Sequence, residues 1–193
     1  MYQSKEYARF FKENKRHYDG VISYLDPEPS DYILEIGCAR GFLTKNIQQI
    51  SPATFGVDMN EEAISQGVTN GLSVMAAEKL DFADKSFDKI YSFHTIEHIP
   101  DTELAFKEIE RVLKPGGKLL LVYPAEVIRG LAALRSAWTL YHNFSKARDI
   151  HVHLFTPSSM KELADGTNMN YVQSKFAFLN IPQFFTLFQK EGE

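Results

Sequence analysis

From Ile33 to Tyr123, short apolar runs alternate with stretches of helical periodicity, and this alternation restricts the chain more than any other feature. "YILEIG" is a brief apolar run ending in glycine, as a strand buried on both faces reads. "FLTKNIQQI" then repeats apolar residues at helical spacing through Leu43, Ile47 and Ile50 until Pro52 stops it, and "ATFGVD" is strand-like again. Asn60 is placed to cap a second helix whose first turn carries Glu61 and Glu62, and "GLSVMA" follows as a third strand. "FDKIYSF" reads as the fourth strand, "DTELAFKEIERVL" as a helix burying Ala105, Ile109, Val112 and Leu113, "KPGG" as a turn and "KLLLVY" as the fifth strand. Repeated strand–helix units require a parallel sheet covered on both faces, so the expected class is doubly wound α/β.

The flanks extend this frame. Tyr7, Phe10, Phe11, Tyr18, Val21, Ile22 and Leu25 form an apolar stripe opposite Lys5, Arg9, Lys12, Lys15 and Arg16, which predicts an N-terminal helix within residues 1–26, ended by "DPEPS". After Pro124 the rhythm breaks. "AEVIRGLAALRSAWTLYHNF" carries an apolar stripe through Val127, Leu131, Leu134, Trp138 and Tyr141, and residues 124–155 are expected to insert a helix over the carboxyl edge of the sheet as a lid. Core packing, a dimer face or contact with a membrane surface are the other uses of such a stripe. Arg129 and Arg135 beside it suit a carboxylate or phosphate. Thr156 and Pro157 supply a helix cap and first residue, and "YVQSKFAFL" and "FFTLFQ" complete a mostly parallel, seven-stranded sheet. At 193 residues, a single domain spanning 1–193 is expected.

A formal net charge of -4 gives no electrostatic reason to seek phosphate backbones, so nucleic acid is not an expected partner. No run approaches the roughly 18 apolar residues of a membrane span and "MYQSKEYARF" lacks a signal-peptide pattern, which points to the cytoplasm. Cys38 is the only cysteine, so an internal disulfide and a cysteine-based zinc cluster are excluded. A monomer or a homodimer is compatible with all of this.

Open parallel sheets bind ligands outside the carboxyl ends of their strands where strand order reverses, and the first strand–helix turn usually provides the site. Here that turn is "EIGCARGF". Gly37 permits a sharp exit from the strand, Ala39 is small enough for close backbone approach, and Gly41 lets the helix begin with its free N–H groups exposed. A dinucleotide fingerprint requires glycines at 37, 39 and 42, whereas this chain has Ala39 and Phe42, which weighs against a nicotinamide-dependent oxidoreductase. Asp58 ends the second strand and is placed to accept hydrogen bonds from two ribose hydroxyls of a nucleoside cofactor.

The ordered set "LEIGCARGFLT", "GVDMN", "AAEKLDFADKSFDKIYS", "FHTIEHIPD" and "EIERVLKPGGKLLL" resembles the class I S-adenosylmethionine-dependent methyltransferases, especially the ubiquinone and menaquinone methylase branch. The resemblance implies a Rossmann-like methyltransferase fold and S-adenosyl-L-methionine as cofactor, with S-adenosyl-L-homocysteine as product. It implies that Glu35 orders the loop or reaches the sulfonium side, and that Gly37, Ala39 and Gly41 approach the methionine moiety. Asp58 would bind the ribose, Met59 would pack on the adenine, Ala77 and Glu78 would contact the adenine, and Ser92 to His94 would lie beneath the methionine portion. The chain departs from the branch's pattern at Ala76, where an acid is common, and at Asp81, where a proline is.

Methyl transfer from a sulfonium is an in-line displacement, and a base is needed only if the acceptor carries a proton that must leave. His98, His94 and His151 are the candidates for that base, and each has a plain structural use as a cap, a pocket wall or packing. Tyr7, His98, Tyr123, Trp138 and His153 are candidates to touch a small-molecule methyl acceptor. The His151 and His153 rings of "HVH" share one face of an extended segment, which suits a metal, but with no third ligand evident no metal site is expected. A degenerate, non-catalytic subunit that still binds S-adenosylmethionine is the alternative to an enzyme.

Overall fold

The computed structural model describes residues 15–126, 128, 130–179 and 181–192. Tyr7, Val127 and Arg129 therefore lie outside the described residues, as does the start of the expected N-terminal helix.

The described part of that helix is α1 (Lys15–Leu25), which buries Val21 and Leu25. Then follow β1 (Ile33–Ile36), α2 (Phe42–Ile47), β2 (Thr54–Asp58), α3 (Glu61–Ser65), β3 (Leu72–Val74) and β4 (Phe87–Phe93). A 3-10 turn at Ile96–His98 leads into α4 (Thr102–Val112) and β5 (Leu113–Pro124). After β5 come α5 (Leu134–Tyr141), a second 3-10 turn at Phe144–Lys146, α6 (Ala147–Ile150), α7 (Pro157–Leu163), β6 (Met169–Phe178) and β7 (Pro182–Lys190).

The sheet has seven strands in the order β3-β2-β1-β4-β5-β7-β6. β1 lies parallel to both β2 and β4, and β4 is parallel to β5. β7 runs antiparallel between β5 and β6. The chain thus winds outward from β1 to β3 and then crosses back to β4, which puts the reversal of strand order between β1 and β4.

Alternation along the strands divides the core into two layers. Ile33, Tyr91, Leu120, Val122 and Phe185 pack with Val21 and Leu25 of α1 on one face. Leu34, Ile36, Ile90, Leu119 and Leu121 pack with Phe106, Ile109 and Val112 of α4 on the other. The strands are apolar on both faces because both are covered.

Caps form where the sequence places them. Asn60 accepts the Ala63 N–H at 3.0 Å, and Thr156 and Ser159 form a capping box at the start of α7, with Pro157 in its first turn; such a cap is worth about 1 kcal/mol.

Two elements differ from expectation. "KPGG" is not a separate turn: β5 begins at Leu113 and takes these residues in, with a register shift opposite Phe87/Lys89. Lys114 Nζ holds both Asp88 oxygens at 2.8 Å, and Gly116 at φ 75 accommodates the irregularity. Within "AEVIRGLAALRSAWTLYHNF" the described residues are α-helical over Leu134–Tyr141 alone, and ahead of that helix the Glu126 carboxylate holds the N–H groups of Gly130, at 3.0 Å, and Ala132. The face of α5 that turns inward is the small one: Ala133 and Ala137 pack on Ala147 and Ile150. Leu131, Leu134, Trp138 and Tyr141, read as a covering stripe, are exposed instead. Among the described residues no helix is long and apolar enough to cross a membrane.

Candidate functional site

A cleft opens at the carboxyl ends of β1, β2 and β4, where strand order reverses, and encloses about 650 Å³ with its open mouth included. One wall is the β1 bend. Gly37 and Ala39 stand at φ 79 and 48 and turn the chain back, so that Gly37 N and Cys38 N both donate to Val57 O. A side chain at 37 has no room, since a Cβ there would come within 2.1 Å of Thr95 Oγ1. Glycine at 37 is thus required by the β4 turn packed against it as well as by the bend itself.

Asp58 faces the cleft from the end of β2. Its Oδ2 accepts the Ala39 N–H and its Oδ1 the Asn60 N–H, each at 2.8 Å. Burial raises its pKa against the opposing pull of those two N–H groups. A carboxylate has about four acceptor positions, so two remain for a ligand. Met59, Met75, Ala76, Ala77 and Glu78 continue the wall. The 76–79 turn is pinned by Lys79 N to Ala76 O at 3.1 Å, and by Leu80 N to Glu108 of α4 at 2.9 Å.

The opposite wall is Phe93, His94, Thr95, His98, Ile99 and Pro100. His94 has φ 53, turns sharply out of β4, and donates from Nε2 to Gln183 Oε1 of β7 at 2.9 Å. His98 Nδ1 donates to Ile150 O at 2.8 Å, which leaves Nε2 as the unprotonated nitrogen of a neutral ring. Burial holds both imidazoles far below their ordinary basicity, His94 to about 4 and His98 to about 3. His17 of α1 stacks on Phe93 with centroids 4.4 Å apart, which closes that end of the wall.

Of the candidate residues, Gly37, Ala39, Asp58, Met59, Ala77, Glu78, His94 and His98 come together on this cleft. The other candidates among the described residues do not line it. Glu35 is sealed behind the bend, where it accepts hydrogen bonds from Thr44 Oγ1 and from Tyr91 Oη, the latter at 2.9 Å; burial pushes its carboxyl up to about 7. Its partners lie on α2 and β4, so it ties the start of that helix to the sheet behind the bend. Gly41 begins α2 at φ 77 with Leu72 against it. Ser92 is buried inside the sheet. Tyr123 is 0% exposed and bonds Thr186 Oγ1 at 2.8 Å, so it is a core residue. Trp138 is 50% exposed and stacks on Phe144 at 4.8 Å. His153 Nε2 is 3.3 Å from Pro100 O, outside the lining. His151 stands behind His98, ring centroids 5.0 Å apart. Ile36, Val57, Met75, Thr95, Ile99 and Pro100 also line the cleft and were not singled out by the sequence, although each lies within or beside a motif quoted for its neighbours; Phe93, within the stretch expected beneath the methionine portion, and Ala76, noted as a departure from the branch's pattern, line it too.

A doubly wound sheet with antiparallel β7 between β5 and β6, a glycine bend after β1 and an acid ending β2 defines a nucleoside-binding domain of the methyltransferase class. Residues 5–174 match the family model described as a methyltransferase domain, and the chain belongs to that family, whose class I members use S-adenosylmethionine. The bend, the two open acceptor positions on Asp58 and the apolar flanks of the cleft fit that cofactor.

Relatives include a sterol 4-C-methyltransferase from Caenorhabditis elegans, 32% identical over 52% of this chain and 33% of its own. A ubiquinone biosynthesis O-methyltransferase from Agrobacterium fabrum is 26% identical over 78% of this chain and 64% of its own. The chain therefore spans about a third of the length of the sterol methyltransferases it matches. Among solved structures, a protein titled as a SAM-dependent methyltransferase from Methanosarcina mazei superposes with TM-score 0.68 at 24% identity, covering 90% of this chain and 97% of that one. YcgJ from Bacillus subtilis superposes with TM-score 0.73 at 17% identity, covering 93% and 100%. These likenesses show the fold.

Proposed function

We propose that the chain moves the methyl group of S-adenosylmethionine to a small-molecule acceptor, leaving S-adenosylhomocysteine. The observation that supports this is the cleft itself, where a bare bend and a half-satisfied acid face a wall of aromatic and imidazole side chains. The cofactor supplies a methyl group on positively charged sulfur. Asp58 offers its two remaining acceptor positions to the ribose hydroxyls, the backbone of Gly37 and Ala39 approaches the amino-acid end, and Met59 and Met75 flank the base.

Phe93, His94, Thr95 and His98 then form the side from which an acceptor enters. Their contribution is alignment of the acceptor atom and exclusion of water, which together are the main requirement of an in-line displacement. As weakly basic rings, His94 and His98 wall the acceptor side and are poor proton acceptors at neutral pH. The apolar surface of Phe93, Ile99 and Pro100 suits a lipophilic or ring-bearing acceptor, in keeping with relatives named for sterol and ubiquinone methylation. A single domain over 1–193, acting in the cytoplasm as a monomer or homodimer, accompanies this reading.

Calorimetric titration with S-adenosylmethionine and S-adenosylhomocysteine tests the binding half, and transfer of labelled methyl into small molecules of a cell extract tests the chemistry. Saturable binding of both nucleosides is expected. Absence of binding to either overturns the proposal.

A further inference from the structure

The turn at Ile96–His98 and the segment that leaves α6 are tied together by backbone. Glu97 O accepts the N–H groups of Val152 at 3.0 Å and His153 at 3.1 Å, while His98 Nδ1 reaches Ile150 O at 2.8 Å. These bonds bring His151 against the turn. One potential ligand atom each from Glu97, His98 and His151 then lies within 4.8 Å of the others.

The polar accounting at this spot does not close. Glu97 is 2% exposed, and neither carboxylate oxygen has a hydrogen-bond partner. Oε1 is 3.7 Å from His94 Nδ1 and 3.9 Å from His98 Nε2, beyond hydrogen-bond reach of both. His151 Nδ1 faces Glu126 Oε1 at 3.1 Å, a pairing that lowers the pKa of Glu126 against its burial, so Glu97 is the member of the group left without a partner. A buried carboxylate without a partner is costly, and buried charges are ordinarily paired or bound to metal.

We propose that Glu97, His98 and His151 bind one divalent transition-metal ion of the zinc type at the edge of the cleft. Two imidazoles and one carboxylate favour a first-row transition ion over calcium or magnesium, which take oxygen ligands. His98 has the outer contact that metal-bound histidines show, a backbone carbonyl on the ring nitrogen facing away from the carboxylate. Glu126, itself held by Gly130 N and Ala132 N, places negative charge behind the His151 ring. Ligands about 2.0–2.1 Å from a tetrahedral ion stand about 3.4 Å apart, so separations of up to 4.8 Å shorten by as much as about 1.4 Å on binding. Three protein ligands leave a coordination position open, and His98 lines the cleft. Resting on the methyl-transfer reading, this position selects acceptors that present a hydroxyl or phenolic oxygen.

The test uses the full chain, freed of metal by a chelator and titrated with Co²⁺ by visible absorption and with Zn²⁺ by calorimetry. One ion per chain is expected, with Co²⁺ bands that Zn²⁺ abolishes. Glu97→Gln and His151→Ala should each weaken binding at least tenfold, while His153→Ala leaves it within about twofold. If Glu97→Gln does not fold, as judged by circular dichroism, His151→Gln gives the same readout. Absence of saturable binding to the wild-type chain, or binding unchanged in the ligand variants, overturns the proposal. Titration of the same samples with S-adenosylhomocysteine separates the two readings: nucleoside binding without metal binding sinks the ion alone, and metal binding without nucleoside binding sinks the methyl-transfer assignment and the acceptor class drawn from it.

Discussion

Asp58→Ala is the perturbation that most directly separates a ribose-binding acid from a loop brace, because the carboxylate is placed to be both. Its two oxygens already accept the N–H groups of Ala39 and Asn60 at 2.8 Å. Loss of those bonds costs about 1 kcal/mol each where water from the open cleft can replace them. The ribose would lose two hydrogen bonds to a charged acceptor, at about 1.5–3 kcal/mol each. The sum of about 3–6 kcal/mol corresponds to a loss of affinity between roughly a hundredfold and ten-thousandfold. Calorimetric Kd values for S-adenosylhomocysteine, read beside thermal melts of the same preparations, measure the two effects separately. Asp58→Asn keeps one acceptor oxygen and should fall between the wild type and the alanine variant. A Kd within about threefold of wild type, together with a lowered melting temperature, would refute the ribose role and leave Asp58 as a brace.

Gly37→Ala should destabilise the fold by more than about 1–2 kcal/mol, because it combines positive φ with a Cβ 2.1 Å from Thr95 Oγ1; Thr95→Gly in the same chain should recover part of the loss, as read by urea unfolding. Glu35 has its folded pKa raised from 4.5 to about 7, so its protonated form favours the fold below pH 4.5 and that contribution disappears as pH rises to 7. The stability of wild type relative to Glu35→Gln should therefore decline by about 3 kcal/mol between pH 4.5 and 7.5, and a flat difference would contradict the burial argument. Thr156→Ala should cost about 1 kcal/mol through loss of the α7 cap, with nucleoside affinity unchanged.

The sheet was legible because its signals are local. "FDKIYSF" coincides with β4, and Asn60 and Thr156 cap the helices expected of them, since period and capping chemistry act over a few residues. The two C-terminal strands also formed as read. What escaped was decided by tertiary contact. The sequence shows Tyr123 at a strand end but not that Thr186 from β7 meets its hydroxyl. The stripe through Trp138 is amphipathic in sequence, yet Ala133 and Ala137 can lie closer to α6 than larger side chains could, so the small face turned inward. "HVH" suggested that His151 pairs with His153, whereas the backbone bonds of Val152 and His153 to Glu97 turn His151 toward His98. Thr95 over Gly37 left no trace in the spacing, because its reason is the distance between two loops far apart in the chain.

The two sides of the cleft have separate origins. Residues 36–78 build the side carrying Asp58, and residues 93–100 build the other, which leans on the 150–153 segment through Ile150, Val152 and His153. Lengthening or trimming the connection that follows β5 shifts the second side while the first keeps its shape. Thr95, wedged on Gly37, joins the halves sterically at the bend, so diversification of the pocket has a pivot there and a freer arm beyond it.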